Sequence, residues 1–300
     1  MKLSEACVLM GEGIRVVKDG DFDDLELLAT SNGRRILSFI ERTKYKGELE
    51  RNQSIACILT TEEVLRELDM DRYSGIAVAD RPRLQFFILH HALMDKTEFY
   101  GSPFSSRIHP GAVVHPTAYV DPVNVIIGPG TRVGPKAVVL SNVELGERCV
   151  IGPGTVLGGD GFEAFRYDEV AMSVRHAGWV RIGNDVEIQA NCCVDRGLFG
   201  EATKLGDYTK LDNMVHIAHN VVIGRRVFIA AAAMLAGRIT IGDDAWIGPG
   251  ASLTNGMSVG AGASVTIGAV ATRNVEAGKT VSGNFAVDHE KFIAFIRTIR

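Results

Sequence analysis

Aromatic residues are scarce, at 7% of the 300 residues with only two tryptophans, and nowhere do about 18 apolar residues run together. The missing long apolar run excludes a helical membrane span. No apolar stretch near residue 1 is long enough for a secretory signal, so the expectation is a cytoplasmic protein. A strong charge of either sign is also absent. The formal net charge is −4 and the pI near 6.1, which gives no long-range attraction to nucleic acid or to an anionic lipid surface. CxxC pairs are missing as well. The five cysteines, Cys7, Cys57, Cys149, Cys192 and Cys193, form an odd set. The adjacent pair lies in a strand-like segment that points its two side chains to opposite faces, so all five read as reduced packing residues.

Glycine is plentiful, with 33 residues, and the Gly-rich sequence lies almost wholly beyond position 100. Hydrophobic content of 46% and a mean hydropathy of +0.11 allow a real core. In the same region aliphatic residues recur every six positions. The series runs through Ile108, Val114 and Val120, then Ile127, Val133, Val139, Leu145, Ile151 and Leu157, then Ile182, Ile188 and Val194. The longest register runs Leu205, Leu211, Ile217, Ile223, Ile229, Leu235, Ile241, Ile247, Leu253, Val259 and Val265 without a slip.

A period of six fits neither an amphipathic helix nor an alternating strand. It suits a short strand and a turn, repeated, with the aliphatic residue always facing inward. Three such flat faces close a triangular coil, and stacked coils form a parallel β-helix. Glycine follows the aliphatic residue at Gly128, Gly134, Gly146, Gly152, Gly183, Gly224, Gly242, Gly248 and Gly260. The expectation there is a corner using backbone angles that other residues resist. Periodicity does not fix the hand of the coil. Two interruptions, Gly158 to Trp179 and a five-residue excess between Val194 and Leu205, are expected to form walls of a site.

The first hundred residues differ. Ile55–Leu59 and Gly75–Ala79 read as strands, Thr61–Leu68 and Leu84–Leu93 as helices, giving a small α/β domain. Three segments are expected: 1–103, the β-helix at 104–285, and a C-terminal helix at 286–300 with Phe292, Phe295, Ile296 and Ile299 on one stripe.

Several strings then carry a specific resemblance. They are Gly-Asp-Gly-Phe at 159–162, His-Ala-Gly at 176–178, Arg-Ile-Gly-Asn-Asp-Val-Glu-Ile at 181–188, Val-Asp-Arg-Gly at 194–197, and Lys-Leu-Asp-Asn-Met-Val-His-Ile-Ala-His-Asn at 210–220. In this order, with the insertion, the chain resembles the UDP-3-O-acylglucosamine N-acyltransferases of lipid A synthesis. Ile36-Leu37-Ser38-Phe39 with Lys44-Tyr45, and Arg81-Pro82-Arg83-Leu84, look like that family's nucleotide-binding domain. The resemblance implies a left-handed helix, a homotrimer, and transfer of a 3-hydroxyacyl chain from acyl carrier protein to the 2-amine of a UDP-linked glucosamine. It implies no metal and no redox cofactor, the acyl group arriving on phosphopantetheine or as acyl-CoA.

Acyl transfer to an amine needs a base poised near neutral pH and donors for the oxyanion of the tetrahedral intermediate. His219 matches the family's catalytic base. Asp212, seven residues earlier, is placed to orient it across a corner, and its other reading is a carboxylate accepting turn N–H groups. Gly237, 18 residues after His219, matches the oxyanion donor through its backbone N–H. His216 stands where the pantetheine arm is expected, His176 is placed to close over the sugar, and Asn220 completes the substrate-binding set. Ala230 to Ala233 read as a groove for an acyl chain one coil above His219. Phe39 and Tyr45 match uracil-stacking aromatics.

The chain also departs from the family. Gly256 replaces a histidine expected near the phosphates, Arg42 replaces an amide between the uracil aromatics, and the C-terminal helical extension is short. These departures sustain an alternative, an N-acyltransferase using short acyl-CoA on another nucleotide-linked amino sugar. Metal hydration on the same scaffold needs three converging histidines. The pairs His109 with His115 and His216 with His219 lack the required spacing.

Overall fold

The computed structural model describes residues 1–30, 33–96, 98–283 and 286–299. The chain forms two compact units. One comprises Met1–Pro103, Phe162–Gly178 and Gly197–Glu201; the other comprises Phe104–Gly161, Trp179–Arg196 and Ala202–Arg300. Both interruptions of the six-residue period therefore leave the coil and belong to the first unit. Part of the longer one is an antiparallel hairpin, Ala164–Tyr167 with Val170–Ser173.

The first unit carries a five-stranded sheet in the order Ile14–Lys18, Gly75–Ala79, Ile55–Thr60, Ile36–Ile40, Asp24–Leu25. The first strand runs antiparallel to its neighbour and the other pairs are parallel. Gly75–Ala79 is buried along its whole length, as an unbroken apolar strand inside a parallel sheet should be. The helix Pro82–Lys96 opens on a proline, a residue preset for the first helical turn, and is longer than the expected Leu84–Leu93. It sets Phe86, Phe87, Leu89 and Leu93 into the core. The helix expected at Thr61–Leu68 is shorter, Glu62–Leu65, with the Thr61 hydroxyl accepting from the Val64 N–H.

The second unit is a parallel β-helix. Among the described residues, three parallel sheets of nine, eight and eight strands form its faces. Most strands hold only two residues, so no coil is stable alone and stacking provides the order. Register holds throughout: Lys210 pairs with Phe228 and Phe228 with Trp246, each 18 residues on. All eleven positions of the longest series, Leu205 to Val265, are buried. They belong to one continuous core running from Val125 to Val275. Cys192 is buried and Cys193 exposed, on opposite faces as expected, and all five cysteines are free. Thr131, Thr155 and Thr209 are fully buried, each hydroxyl donating to a backbone carbonyl, that of Gly146, Gln189 and Gly224 respectively. Their polar atoms are thereby satisfied inside the column.

The glycines after the aliphatic residues have a different cause from the one expected. None of the nine has a positive φ. They are needed because the next coil approaches too closely: a Cβ on Gly152 would stand 2.5 Å from the Gln189 carbonyl carbon, and one on Gly128 would stand 2.5 Å from the Gly146 oxygen. The left-handed angles fall two residues later and are taken mostly by polar or charged residues, among them Asn191, Asn220, Arg226, Arg238 and Asp244. Side chains that hydrogen-bond locally lower the cost of this conformation.

At the C-terminus, His289–Thr298 is helical, with the Asp288 carboxylate accepting from the Glu290 and Lys291 N–H groups. Phe292, Phe295 and Ile299 are exposed on it. Residue 285, the expected end of the β-helix segment, and residue 300, the expected end of the helix, lie outside the described residues.

Candidate active site

His219 sits at the corner that follows the strand His216–Ile217, and it is only 7% exposed. Asn220, the next residue, turns the corner in a left-handed conformation at φ 58°. That turn brings its side-chain oxygen to 3.0 Å from His219 Nδ1. A carbonyl oxygen only accepts, so Nδ1 carries the proton and Nε2 is left with its lone pair. The Asn220 backbone is itself held, its N–H donating to Thr203 Oγ1 at 2.8 Å. Asn220 thus orients the imidazole, a more specific task than the substrate contact expected of it.

Gly237 occupies the same corner position one coil further on. A Cβ there would stand 2.7 Å from His219 Nε2, 2.9 Å from Cε1 and 3.0 Å from Asn255 Oδ1. Only glycine leaves room for the imidazole edge. Among the described residues the Gly237 N–H meets no hydrogen-bond acceptor, so it is available to a ligand oxygen. His219 and Gly237 are therefore brought together, basic nitrogen against a glycine backbone.

Asp212 is not brought to His219. It follows the strand Lys210–Leu211 in the nine-stranded sheet, whereas His219 follows His216–Ile217 in a different sheet, so a whole strand separates the two corners. Its carboxylate holds its own corner, accepting from the Asn213 N–H at 2.7 Å, the Asn213 amide at 2.8 Å and the Ala231 N–H at 3.1 Å. The turn-capping reading describes it. Asp212 also borders an open groove of about 330 Å³ with Glu187, Lys210, Phe228 and Trp246. The run Ala230–Ala233 lies one coil above Asp212, not above His219: the Ala232 N–H donates to the Asn213 carbonyl, while the Arg238 N–H donates to that of His219. The arithmetic of 18 residues placed the alanines at the wrong corner.

His216 is half-buried, with Nε2 3.8 Å from Asp195 Oδ2, and burial holds its imidazole below the usual histidine range. His176 belongs to the first compact unit, where it is 1% exposed, with Nδ1 3.1 Å from the Val174 carbonyl oxygen. It is a core residue of that unit and presents no ring to solvent. In the same unit Phe39 packs against Phe86 and Phe87, at ring separations of 5.0 and 6.1 Å. Tyr45 is exposed, with the Lys44 ammonium 4.6 Å over its ring. Arg42 stands exposed between them at the start of the turn Thr43–Tyr45. Gly256 is a left-handed corner, φ 74°, with open space around it.

One charged residue at the site was not singled out by the sequence. Asp195 ends the strand Cys193–Asp195, which pairs with His216–Ile217. Its side chain is 13% exposed, and burial together with the nearby Asp160 carboxylate pushes its pKa up to about 7. The string Val-Asp-Arg-Gly contained it, but only burial reveals the perturbed carboxyl. Among the described residues no group of three His, Cys, Asp or Glu side chains is placed to hold a metal ion, and no helix is long and apolar enough to cross a membrane.

Comparison with known proteins agrees with this geometry. The bacterial transferase hexapeptide family (six repeats) matches residues 124–159. A UDP-3-O-acylglucosamine N-acyltransferase of Pseudomonas syringae pv. tomato is 29% identical over 236 residues, 69% of this chain and 64% of that protein. One from Paracidovorax citrulli is 34% identical over 172 residues, 54% and 50% of the two chains. This chain is a relative of the UDP-3-O-acylglucosamine N-acyltransferases. It spans less than two thirds of the length of these acyltransferases. Among solved structures, a UDP-N-acetylglucosamine acyltransferase from Campylobacter jejuni is similar at 19% identity and a TM-score of 0.46, covering 64% of this chain and 83% of that one.

Proposed function

We propose that the chain transfers a 3-hydroxyacyl group from the phosphopantetheine thioester of acyl carrier protein to the 2-amine of a UDP-3-O-acylglucosamine. The observation that carries this reading is the His219, Asn220 and Gly237 arrangement. Asn220 fixes the tautomer, Nε2 is basic, and the Gly237 N–H beside it has no acceptor of its own. The amine attacks the thioester carbonyl as His219 Nε2 takes its proton, and the Gly237 N–H donates to the oxyanion. The tetrahedral intermediate then collapses, the C–S bond breaks, and the imidazolium returns the proton to the leaving sulfur.

The names of the acyltransferase relatives support the nucleotide-sugar acceptor. The carrier-protein donor, a homotrimeric assembly and a cytoplasmic setting follow from the family resemblance. Phe39, Tyr45 and Arg42 remain the proposed uridine contacts, Phe39 through whatever ring surface its packing leaves exposed.

The test uses the purified full chain with UDP-3-O-acylglucosamine and, in parallel, 3-hydroxyacyl-acyl carrier protein and acetyl-CoA. Product formed from the carrier-protein thioester supports the proposal. Product from acetyl-CoA alone overturns it in favour of a short-chain N-acyltransferase.

A further inference from the structure

The Asp195 carboxyl has a location and a lack of partners that the base and oxyanion roles leave unused. It lies one step beyond the paired residues Val194 and Ile217, so its neighbour on the next strand is Ala218, the residue before His219. Continuing up the same column the outward positions are Ala236 and Thr254. Two alanines thus leave the surface shallow between Asp195 and the His219 corner. The charged and titratable groups facing Asp195 are few. From the strand above comes His216 Nε2 at 3.8 Å. From the coil below comes Asp160, whose like charge opposes ionisation. On its own strand are Cys193 and Arg196. Burial and the Asp195 charge raise the Cys193 thiol above its usual range, so it stays neutral.

Arg196 does not neutralise Asp195. Its Nε donates to the Gly158 carbonyl at 2.7 Å, its Nη1 reaches Ser141 Oγ at 3.4 Å, and its ion pair is with Asp160 at 3.4 Å. Among the described residues Asp195 has no hydrogen-bond donor and no ion-pair partner apart from His216. A mostly buried carboxylate left without a fixed cation is costly unless a ligand supplies one.

The substrate class proposed above supplies a cation. An amino sugar binds largely as its ammonium ion, which has no lone pair and does not attack a thioester. Two protons must leave the nitrogen during N-acylation, and His219 returns the one it takes to sulfur. The other needs a separate acceptor. We propose that Asp195 binds the substrate ammonium and takes its first proton, and that His216 passes this proton to solvent. The ammonium and the Asp195 carboxylate become neutral amine and carboxylic acid; the acid protonates His216, which releases the proton to water. The amine then forms its bond to the acyl carbon, its second proton goes to His219, and the thiol leaves with it. The balance is ammonium plus thioester giving amide, thiol and one proton.

This assignment rests on the amine-acceptor reading, and two measurements separate the failure of one from the failure of the other. The first is binding, by titration calorimetry of the full chain with UDP-glucosamine and with UDP-N-acetylglucosamine, which has no ionisable nitrogen. The wild-type protein is expected to prefer the amine by about tenfold, and Asp195→Asn to lose that preference while still binding the amide. Equal affinity of the wild-type protein for both, or a preference that survives Asp195→Asn, overturns the assignment whether or not transfer is observed. The second is the pH profile of acyl transfer. Asp195→Asn is expected to fall about 100-fold at pH 7 and to recover to within about threefold at pH 9.5, where the amine arrives already neutral. A loss of equal size at both pH values means Asp195 only holds the fold, and no loss at either means it takes no proton. If the preference for the amine depends on Asp195 but no acyl group is transferred from the carrier protein, the donor reading fails and the ammonium site stands.

Discussion

Replacing Gly237 by alanine tests the contact on which the catalytic geometry depends. The added methyl would stand 2.7 Å from His219 Nε2 and 2.9 Å from Cε1, against an ordinary contact of 3.4 Å or more. The imidazole must therefore retreat by about 0.7 Å, because the Asn255 side chain, 3.0 Å away, limits movement on the other side. That retreat stretches the 3.0 Å bond from Nδ1 to Asn220 and moves the base off the line to the amine. A displacement approaching 1 Å at a reacting group costs roughly 100-fold in rate. Gly237 has no positive φ, so alanine adds no backbone strain and the fold should persist. The assay is steady-state kinetics of Gly237→Ala with UDP-3-O-acylglucosamine and 3-hydroxyacyl-acyl carrier protein, beside thermal unfolding. The expected outcome is kcat reduced by about 30- to 100-fold with KM within about threefold. A folded variant with kcat within twofold of wild type would refute the placement of His219 against Gly237.

Other outcomes follow from the same geometry. Asn220→Gly keeps the left-handed corner but removes the acceptor on His219 Nδ1, so kcat should fall by about 10-fold or more with little change in melting temperature. The stability of Asp195→Asn should depend on pH. The folded-state pKa of Asp195, about 7, lies above its unfolded value of 3.8, so ionisation in the native state carries a cost. That cost is fully present above pH 7 and vanishes below pH 4. Asparagine removes it, and the variant should gain on the order of 2 kcal/mol relative to wild type at pH 8 and nothing at pH 4, read by denaturant unfolding. The two kinds of glycine should also respond differently. Gly152→Ala drives a methyl into the backbone of the next coil at 2.5 Å and should cost about 3 kcal/mol or more. Gly262→Ala, at φ 64° in open space, should cost about 1–2 kcal/mol from backbone strain alone.

The β-helix was legible because its signal is strictly local. One aliphatic residue per hexad faces the column, and Leu205 through Val265 are buried without exception. The glycines were legible as required positions but not by their cause. Close approach of the next coil depends on stacking, which one chain segment does not record. The interruptions after Gly158 and Val194 were visible as lost period. Their membership of the N-terminal compact unit was not, since it arises from packing of Phe165, Val174, Leu198 and Phe199 into that unit's core.

At the site, His219 and Gly237 could be paired from their separation of one coil. Asp212 could not be placed by counting, because seven residues along a triangular coil cross a corner and reach a different face. His176 failed for a related reason: its insertion leaves the coil, so hexad position says nothing about where its ring points. Asp195 escaped notice because a carboxylate in a corner string looks like any turn residue until its burial and its neighbours are known.

The central claim is that His219 is the base for acyl transfer to an amino sugar. The most direct measurement is single-turnover transfer of a 3-hydroxyacyl group from acyl carrier protein to UDP-3-O-acylglucosamine, comparing wild type with His219→Ala at equal folded concentration. The account predicts a loss of about 100- to 10,000-fold with substrate binding retained. A His219→Ala protein that transfers the acyl group within a few-fold of the wild-type rate would contradict it.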